Sequence, residues 1–278
     1  MLFDAHNHLQ DPALAPHRDG IVRALRAIGL GGAVVNGTEE ADWPEVSALA
    51  GAHDWVLPSY GLHPWHVARR SPRWLERLEA RLDTEAARGR PHAIGEIGLD
   101  RWRKPRDDAD QLAIFLDQLA LAVRRGLPAT IHCLQAWGAL DAALHRHPVP
   151  ARGFLLHAYG GPLEMVPRFA ARGAYFSFNG YFLHERKAAR REVFRQIPAD
   201  RLLVETDAPS MLPPPEALTH PLPPSPDGSP LNHPANLDAA YAALARLRGL
   251  TVDALTGLVR KNFTRLFGPR AAAPADPR

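Results

Sequence analysis

The 278-residue sequence predicts an α/β fold, a TIM-type (β/α)8 barrel with a metal site at the C-terminal face of its strands. Eight short apolar segments alternate with segments of helical periodicity, which is typical of parallel strands joined by helices. The strand segments are mostly apolar, as in a sheet that helices cover. Eight is also the number of strands that closes such a barrel, and about 250 residues are typical of the fold.

The predicted strands lie at residues 2–8, 31–36, 55–64, 92–100, 128–132, 153–157, 174–178 and 202–207. The predicted helices between them lie at residues 17–29, 39–52, 71–88, 108–125, 136–146, 162–172 and 184–196. In the third helix we expect Ser71 to be the N-cap and Pro72 to occupy the first helical position. A final helical pair, 235–248 and 252–267, would complete the ring.

The predicted barrel makes residues 1–268 one domain, and an Ala/Pro-rich tail at 269–278 is expected to be unordered. A proline-dense loop at 212–234 follows the eighth strand. Long loops without secondary structure are usually functional or disordered, and this one would lie at the C-terminal face of the barrel.

Composition places few restrictions on partners. The net charge is only +3, which permits nucleic-acid binding without indicating it strongly. The single cysteine, Cys133, excludes an internal disulfide and fits a reducing compartment. We find no signal peptide and no apolar run long enough to span a membrane, so we expect a cytoplasmic protein without a membrane partner.

The first strand carries two histidines, His6 and His8, at its end. Side chains at i and i+2 of a strand point to the same side, so the two imidazoles aim at one place. Such a pair is a good half-site for a divalent transition metal. Asp4, two residues earlier on that face, could hold a histidine ring from behind the metal ligands.

Similar side chains recur at the ends of later strands and complete a candidate metal set. These are Glu96, His132, His157 and Asp207. In a closed parallel barrel all of them lie at one rim, and four histidines with two carboxylates suit two metal ions bridged by a carboxylate. Asp207 could both bind metal and take a proton from the attacking water. Glu205 is expected deeper in the barrel, as a buried polar partner of the site.

With these residues the sequence resembles the TatD-like metal-dependent hydrolases of the amidohydrolase superfamily. The matching segments are residues 4–8, 61–64, 95–100, 131–133, 157–161 and 205–209. The resemblance implies a TIM barrel with two divalent ions (Zn, Mn or Mg) and hydrolysis of phosphodiesters, typically as a deoxyribonuclease acting from a 3′ end. It makes Glu96 the bridging ligand and, with Asp207, a catalytic carboxylate, and it makes His63 a substrate contact.

The sequence departs from that family at one position. Many members carry an arginine two residues after the fifth-strand histidine, where this chain has Leu134. On the predicted rim, the nearest cations by sequence are Arg101, Arg103 and Lys104, which we expect to bind substrate phosphate in its place.

Three classes of function therefore stay open. The leading hypothesis is a metal-dependent phosphodiesterase or nuclease with nucleic acid, DNA foremost, as substrate. The second is a hydrolase of aminoacyl-tRNA esters, or of another ester or amide, on the same metal centre. The third is a non-catalytic partner protein stabilised by metal, which the complete ligand set disfavours. The sequence does not indicate an oligomeric state.

Overall fold

Eight parallel strands form one sheet whose spatial order follows the chain from first to last. The structure, a computed structural model, describes residues 1–268. The strands are β1 (Leu2–Asn7), β2 (Leu30–Asn36), β3 (Val56–Tyr60), β4 (Ala93–Asp100), β5 (Ala129–Leu134), β6 (Phe154–Leu156), β7 (Ala174–Phe178) and β8 (Leu202–Val204). Each strand pairs in parallel with the next. The predicted TIM barrel is confirmed.

The seam between β8 and β1 is closed by residues that follow the last strand. Asp207 N donates to the His6 carbonyl (2.9 Å), and His8 N donates to the Ala208 carbonyl (2.7 Å). Asp4 lies across the same seam, where it accepts from Thr206 N (3.1 Å) and Thr206 Oγ1 (2.6 Å). The first and last strands are therefore joined beside the C-terminal face.

Helices alternate with the strands around the barrel. They are α1 (Arg18–Ala27), α2 (Trp43–Ala52), α3 (Trp74–Ala87), α4 (Asp108–Arg125), α5 (Trp137–Arg146), α6 (Val166–Ala171), α7 (Ala188–Val193), α8 (Leu237–Arg248) and α9 (Val252–Phe267). In α4 the Asp107 side chain caps the first turn, and Gly126 ends the helix with φ +63°. α9 packs on the seam, where the Phe263 and Phe3 rings lie 4.9 Å apart.

Several predicted boundaries are wrong for local reasons. Ser71 does not cap α3, because its amide and hydroxyl both bind the Glu40 carboxylate, at 2.6 and 2.7 Å. The sixth and seventh helices each begin as a 3-10 turn, so α6 and α7 have only six residues. Strand β8 ends at Val204, three residues before its predicted end.

Two expectations from the sequence concern the chain outside the barrel. The tail at 269–278 lies outside the described residues. Along the described chain, none of the helices has both the length and the apolar character that crossing a membrane requires.

Candidate metal centre

Six side chains from five strand ends meet at the C-terminal face of the barrel. They are His6, His8, Glu96, His132, His157 and Asp207. His6 is on β1 and His8 follows it, Glu96 is on β4, and His132 is on β5. His157 and Asp207 follow β6 and β8. The structure thus brings together the residues that the sequence predicts as metal ligands.

Glu96 lies at the centre of this cluster, and its two carboxylate oxygens face different histidines. Oε2 lies 3.5 Å from His6 Nε2 and 3.3 Å from His8 Nε2. Oε1 lies 3.1 Å from His132 Nδ1 and 2.9 Å from His157 Nε2. Asp207 Oδ1 is on the His6 and His8 side, at 3.5 and 3.4 Å from their Nε2 atoms. The carboxylate of Glu96 therefore separates two groups of possible ligands.

Two glycines allow the backbone of β4 to place Glu96 there. A Cβ on Gly95 would lie 1.7 Å from Thr130 Oγ1, and one on Gly98 would lie 2.0 Å from the His132 carbonyl oxygen. Gly98 also has φ +148°, a region that side chains rarely allow. Close packing of β4 on β5 thus depends on glycine on both sides of Glu96.

The hydrogen bonds of His8 and His132 decide which ring nitrogen of each carries the proton. His8 Nδ1 donates to the Asn36 carbonyl (2.8 Å), and His132 Nε2 donates to Asp100 Oδ2 (2.9 Å). In the neutral rings the lone pairs are then on His8 Nε2 and His132 Nδ1, the atoms that face Glu96. Both rings are oriented as metal ligands.

Glu205 lies inside the barrel next to His157, whose buried Nδ1 has no hydrogen-bond partner within residues 1–268. Glu205 is fully buried, receives hydrogen bonds from Ser177 and Asn179, and lies 3.6 Å from His157 Nδ1. His6 stacks on the His157 ring at 4.0 Å. The buried Nδ1 of His6 has no hydrogen-bond partner within residues 1–268, so only Nε2 of His6 faces other polar atoms.

His63 also contacts the cluster, but in its neutral ring the nitrogen that faces Glu96 carries the proton, unlike those of His8 and His132. Its Nδ1 accepts a hydrogen bond from Trp65 N (3.1 Å), so the neutral ring carries its proton on Nε2. That Nε2 lies 3.4 Å from Glu96 Oε1 and donates toward it. The distance alone would allow His63 to bind a metal; the position of the proton favours a hydrogen-bond donor instead.

Asp4 does not hold a histidine ring as we expected. Within residues 1–268 its oxygens accept from His6 N, Asn7 Nδ2 and Thr206. Burial raises its pKa to about 7, although the hydrogen bonds from Thr206 and Asn7 act against this shift. Asp4 therefore positions the His6 backbone at the seam.

Two partners of the histidine rings were missed from the sequence. Asp100 lies four residues after Glu96 on the same strand, and the alternation of β4 puts both on one face. That spacing could have identified Asp100 as the partner of a histidine. The backbone carbonyl of Asn36 gives no sequence signal, because any residue could supply it.

Charges within the cluster shift the pKa values of its members. Burial opposes a charge on His8, but the Asp207 and Glu96 carboxylates outweigh it and raise the pKa of His8 well above its usual value. Burial alone would raise the pKa of Glu96, yet the electrostatic influence of the neighbouring His63, His157 and His6 rings holds it well below the usual range. The cluster therefore favours ionised carboxylates that are balanced by positive charge.

The donor set fits divalent metal ions. Ligands that share an ion at about 2.0–2.2 Å lie roughly 3.0–3.5 Å from one another, and the nitrogen–oxygen distances around Glu96 are 2.9–3.5 Å. In the neutral rings of His8 and His132, the nitrogens that face the carboxylates are the ones with free lone pairs. A metal ion can replace the protons that otherwise balance these carboxylates.

The loop after β4 carries the three cations expected to bind phosphate. Arg101 pairs with Asp108 at 3.3 Å, and the Arg103 guanidinium lies 4.9 Å from the Trp65 ring centre. Lys104 is exposed. Leu134 is 37% exposed and lines the same cavity as the candidate ligands. The structure places these cations beside the cluster rather than in it.

The eight-stranded barrel and its cluster of imidazoles and carboxylates define a class of protein, the metal-dependent hydrolases. A family profile described as TatD-related DNase matches residues 3–268. The chain belongs to this family, and the resemblance seen in the sequence is confirmed.

Individual relatives agree with this assignment. The chain is 34% identical over 268 residues to the 3′-5′ ssDNA/RNA exonuclease TatD of Enterobacter lignolyticus strain SCF1, covering 96% of this chain and 99% of that protein. It is 30% identical to the uncharacterized metal-dependent hydrolase YjjV of Escherichia coli K12, covering 95% and 97%. The crystal structure of YjjV superposes with a TM-score of 0.86 at 28% identity, over 96% of this chain and 98% of that one.

Proposed function

We propose that this protein is a two-metal 3′–5′ exonuclease that hydrolyses single-stranded nucleic acid, DNA foremost. The observation that carries the proposal is the position of Glu96, whose two oxygens face two separate groups of imidazoles. A carboxylate so placed suits a bridge between two ions. The relative from Enterobacter is named for cleavage of ssDNA and RNA in the 3′–5′ direction, which supports this substrate class.

Each ion would have its own ligands besides Glu96. His6, His8 and Asp207 would hold one ion, and His132 and His157 would hold the other. Such a histidine-rich set favours Zn²⁺ or Mn²⁺ over Mg²⁺, which prefers oxygen ligands. When bound, the ions would act as Lewis acids on the phosphate and lower the pKa of the attacking water.

The residues of the chain would position the substrate and move the proton. Asp207 is the better base, because 11% of its side chain is exposed toward solvent whereas only 3% of Glu96 is. Its carboxylate would take the proton from the attacking water. His63 would donate its Nε2 proton to a phosphate oxygen, and Arg101, Arg103 and Lys104 would attract the strand behind that phosphate.

The proposal is tested by comparing substrates side by side. Protein loaded with Mn²⁺ is incubated with 5′-labelled single-stranded DNA, the matching duplex, RNA and aminoacyl-tRNA. We expect stepwise shortening of the single strands from the 3′ end and a metal content of two equivalents. Release of amino acid without shortening would overturn the nuclease proposal in favour of the ester hydrolase. A maximum of one equivalent with every divalent ion would overturn the two-metal site.

We further propose that residues 1–268 act as one hydrolase domain in the cytoplasm. The family profile ends at residue 268, close to the end of α9. The single cysteine, which is buried in its free form, supports a reducing compartment.

A further inference from the structure

Two tryptophans remain exposed at the mouth of the candidate metal centre. Trp102 is 59% exposed and Trp65 is 39% exposed, whereas Trp43 and Trp74 are buried at 2% and 7%. Burial of a tryptophan normally stabilises the fold, so a neighbouring exposed pair points to a binding surface. Their rings lie 6.3 Å apart, and Leu134 adds a third exposed apolar side chain.

The pair is continuous with the candidate metal centre. The Trp65 ring lies 5.0 Å from the His63 ring and 6.3 Å from the His132 ring. Trp65, Trp102 and Leu134 line one cavity together with Glu96 and Asp207. A group stacked on these rings would therefore lie next to a bond held at the candidate metal centre.

Positive charge surrounds the other side of the pair. The Arg103 guanidinium lies over Trp65, and a groove that begins at Trp65 is lined by Lys104 and by two paired arginines. These are Arg69, which lies 3.1 Å from Glu39, and Arg106, which lies 2.6 Å from Asp108. Two carboxylates also line the groove. Asp110 pairs with Arg70 at 2.7 Å, and Asp107 accepts the backbone N–H groups of Ala109 and Asp110 at the start of α4. Aromatic rings beside cations suit a single strand of nucleic acid, since its bases can stack on the rings and its phosphates can pair with the cations.

We propose that Trp65 and Trp102, extended by Leu134, form a stacking platform for the unpaired bases at the 3′ end of single-stranded nucleic acid. This inference rests on the proposed nuclease function and specifies its substrate. Every base has a flat π-face, so the platform binds without sequence preference. Bases in a duplex are already stacked and paired, so the platform selects unpaired ends. The apolar side chain of Leu134 extends this platform.

Binding without turnover tests the platform directly. Protein loaded with Mn²⁺ is titrated into 5′-fluorescein DNA whose 3′ linkages are phosphorothioates, with fluorescence anisotropy as the readout. The variant Trp65→Ala/Trp102→Ala should bind about 5- to 150-fold more weakly, the range expected for the loss of one stacked base. The matched variant Trp65→Phe/Trp102→Phe keeps both rings and should bind within a few-fold of wild type. Leu250→Ala controls for the loss of an exposed apolar side chain elsewhere, at 38% exposure.

A second substrate separates this inference from the nuclease proposal. DNA with an abasic 3′-terminal nucleotide offers the same phosphates without a base to stack. Wild type should bind it more weakly than the normal end, and the double alanine variant should bind both alike. Equal binding of both ends by wild type would overturn the platform even if hydrolysis is normal. Base-dependent binding without any hydrolysis would support the platform and overturn the nuclease proposal.

Discussion

Replacing Asp100 by asparagine should weaken the binding of one of the two proposed metal ions and leave the binding of the other unchanged. Asp100 is fully buried, and its Oδ2 holds the proton of His132 Nε2 at 2.9 Å. Its Oδ1 accepts from Trp102 N (2.7 Å) and Arg103 N (3.1 Å), which an asparagine oxygen can also do. The asparagine NH2 group then faces Nε2 as a second donor, so the His132 proton must move to Nδ1.

The expected loss of metal affinity follows from the new position of that proton. With Nδ1 protonated, His132 has no lone pair directed at its ion on the Glu96 Oε1 side. Removing such an outer partner typically costs 10- to 100-fold in metal affinity, or about 1.4–2.7 kcal/mol. The ion that His6, His8 and Asp207 are proposed to hold would have no ligand in contact with Asp100 and should bind as in wild type.

Calorimetric titration of metal-free protein with Zn²⁺ measures both affinities. The Asp100→Asn protein should show one unchanged site and one weakened site. Asp141→Asn is the matched control, because Asp141 is also buried but pairs with Arg172 on the outer helices. Two wild-type affinities in Asp100→Asn, or equal losses at both sites, would refute the assignment of His132 and the role of its proton.

Three further predictions concern catalysis, substrate binding and folding. Asp207→Asn should keep the fold and part of the metal but slow hydrolysis about 10²- to 10⁴-fold. The rate is measured under single-turnover conditions with excess metal. Near wild-type rates at full metal occupancy would exclude Asp207 as the base. Replacing Arg101, Arg103 and Lys104 together by alanine should leave the metal content unchanged and reduce the salt dependence of single-strand binding. The slope of log Kd against log salt should fall by about 2. An unchanged slope would mean that the loop is only a solvated surface. Gly95→Ala should destabilise the protein by about 1–3 kcal/mol in urea unfolding, because the new Cβ would meet Thr130 Oγ1. The control Gly138→Ala should not destabilise the protein, because nothing lies within 4 Å of the added Cβ. Equal stabilities of the two variants would show that β4 shifts freely.

The barrel and the candidate ligands could be predicted because both depend on regular patterns. Each strand is a short apolar run, and each candidate ligand comes at or near the end of one. Since parallel strands of a barrel end at the same face, the sequence positions of Glu96 and Asp207 already imply their meeting. Predicted strand β7 and helix α4 have the observed bounds, because clear turn and cap residues delimit them.

The rest depended on contacts that no local pattern reveals. The Ser71 cap was wrong because Glu40, distant in sequence, binds its amide and hydroxyl. The role of Asp4 was missed because its partner Thr206 is 202 positions away. Trp102 stands in a predicted loop, where periodicity cannot separate a core aromatic from an exposed one.

The closure of the barrel at Asp207 and His6 has a consequence for protein synthesis. These two residues share a backbone hydrogen bond across the seam, and both face Glu96 or its neighbours in the candidate metal centre. A nascent chain that has emerged from the ribosome only as far as β7 has His6, His8 and Glu96 but cannot complete the set. The candidate ligand set would therefore be complete only after β8 and the residues that follow it have been released.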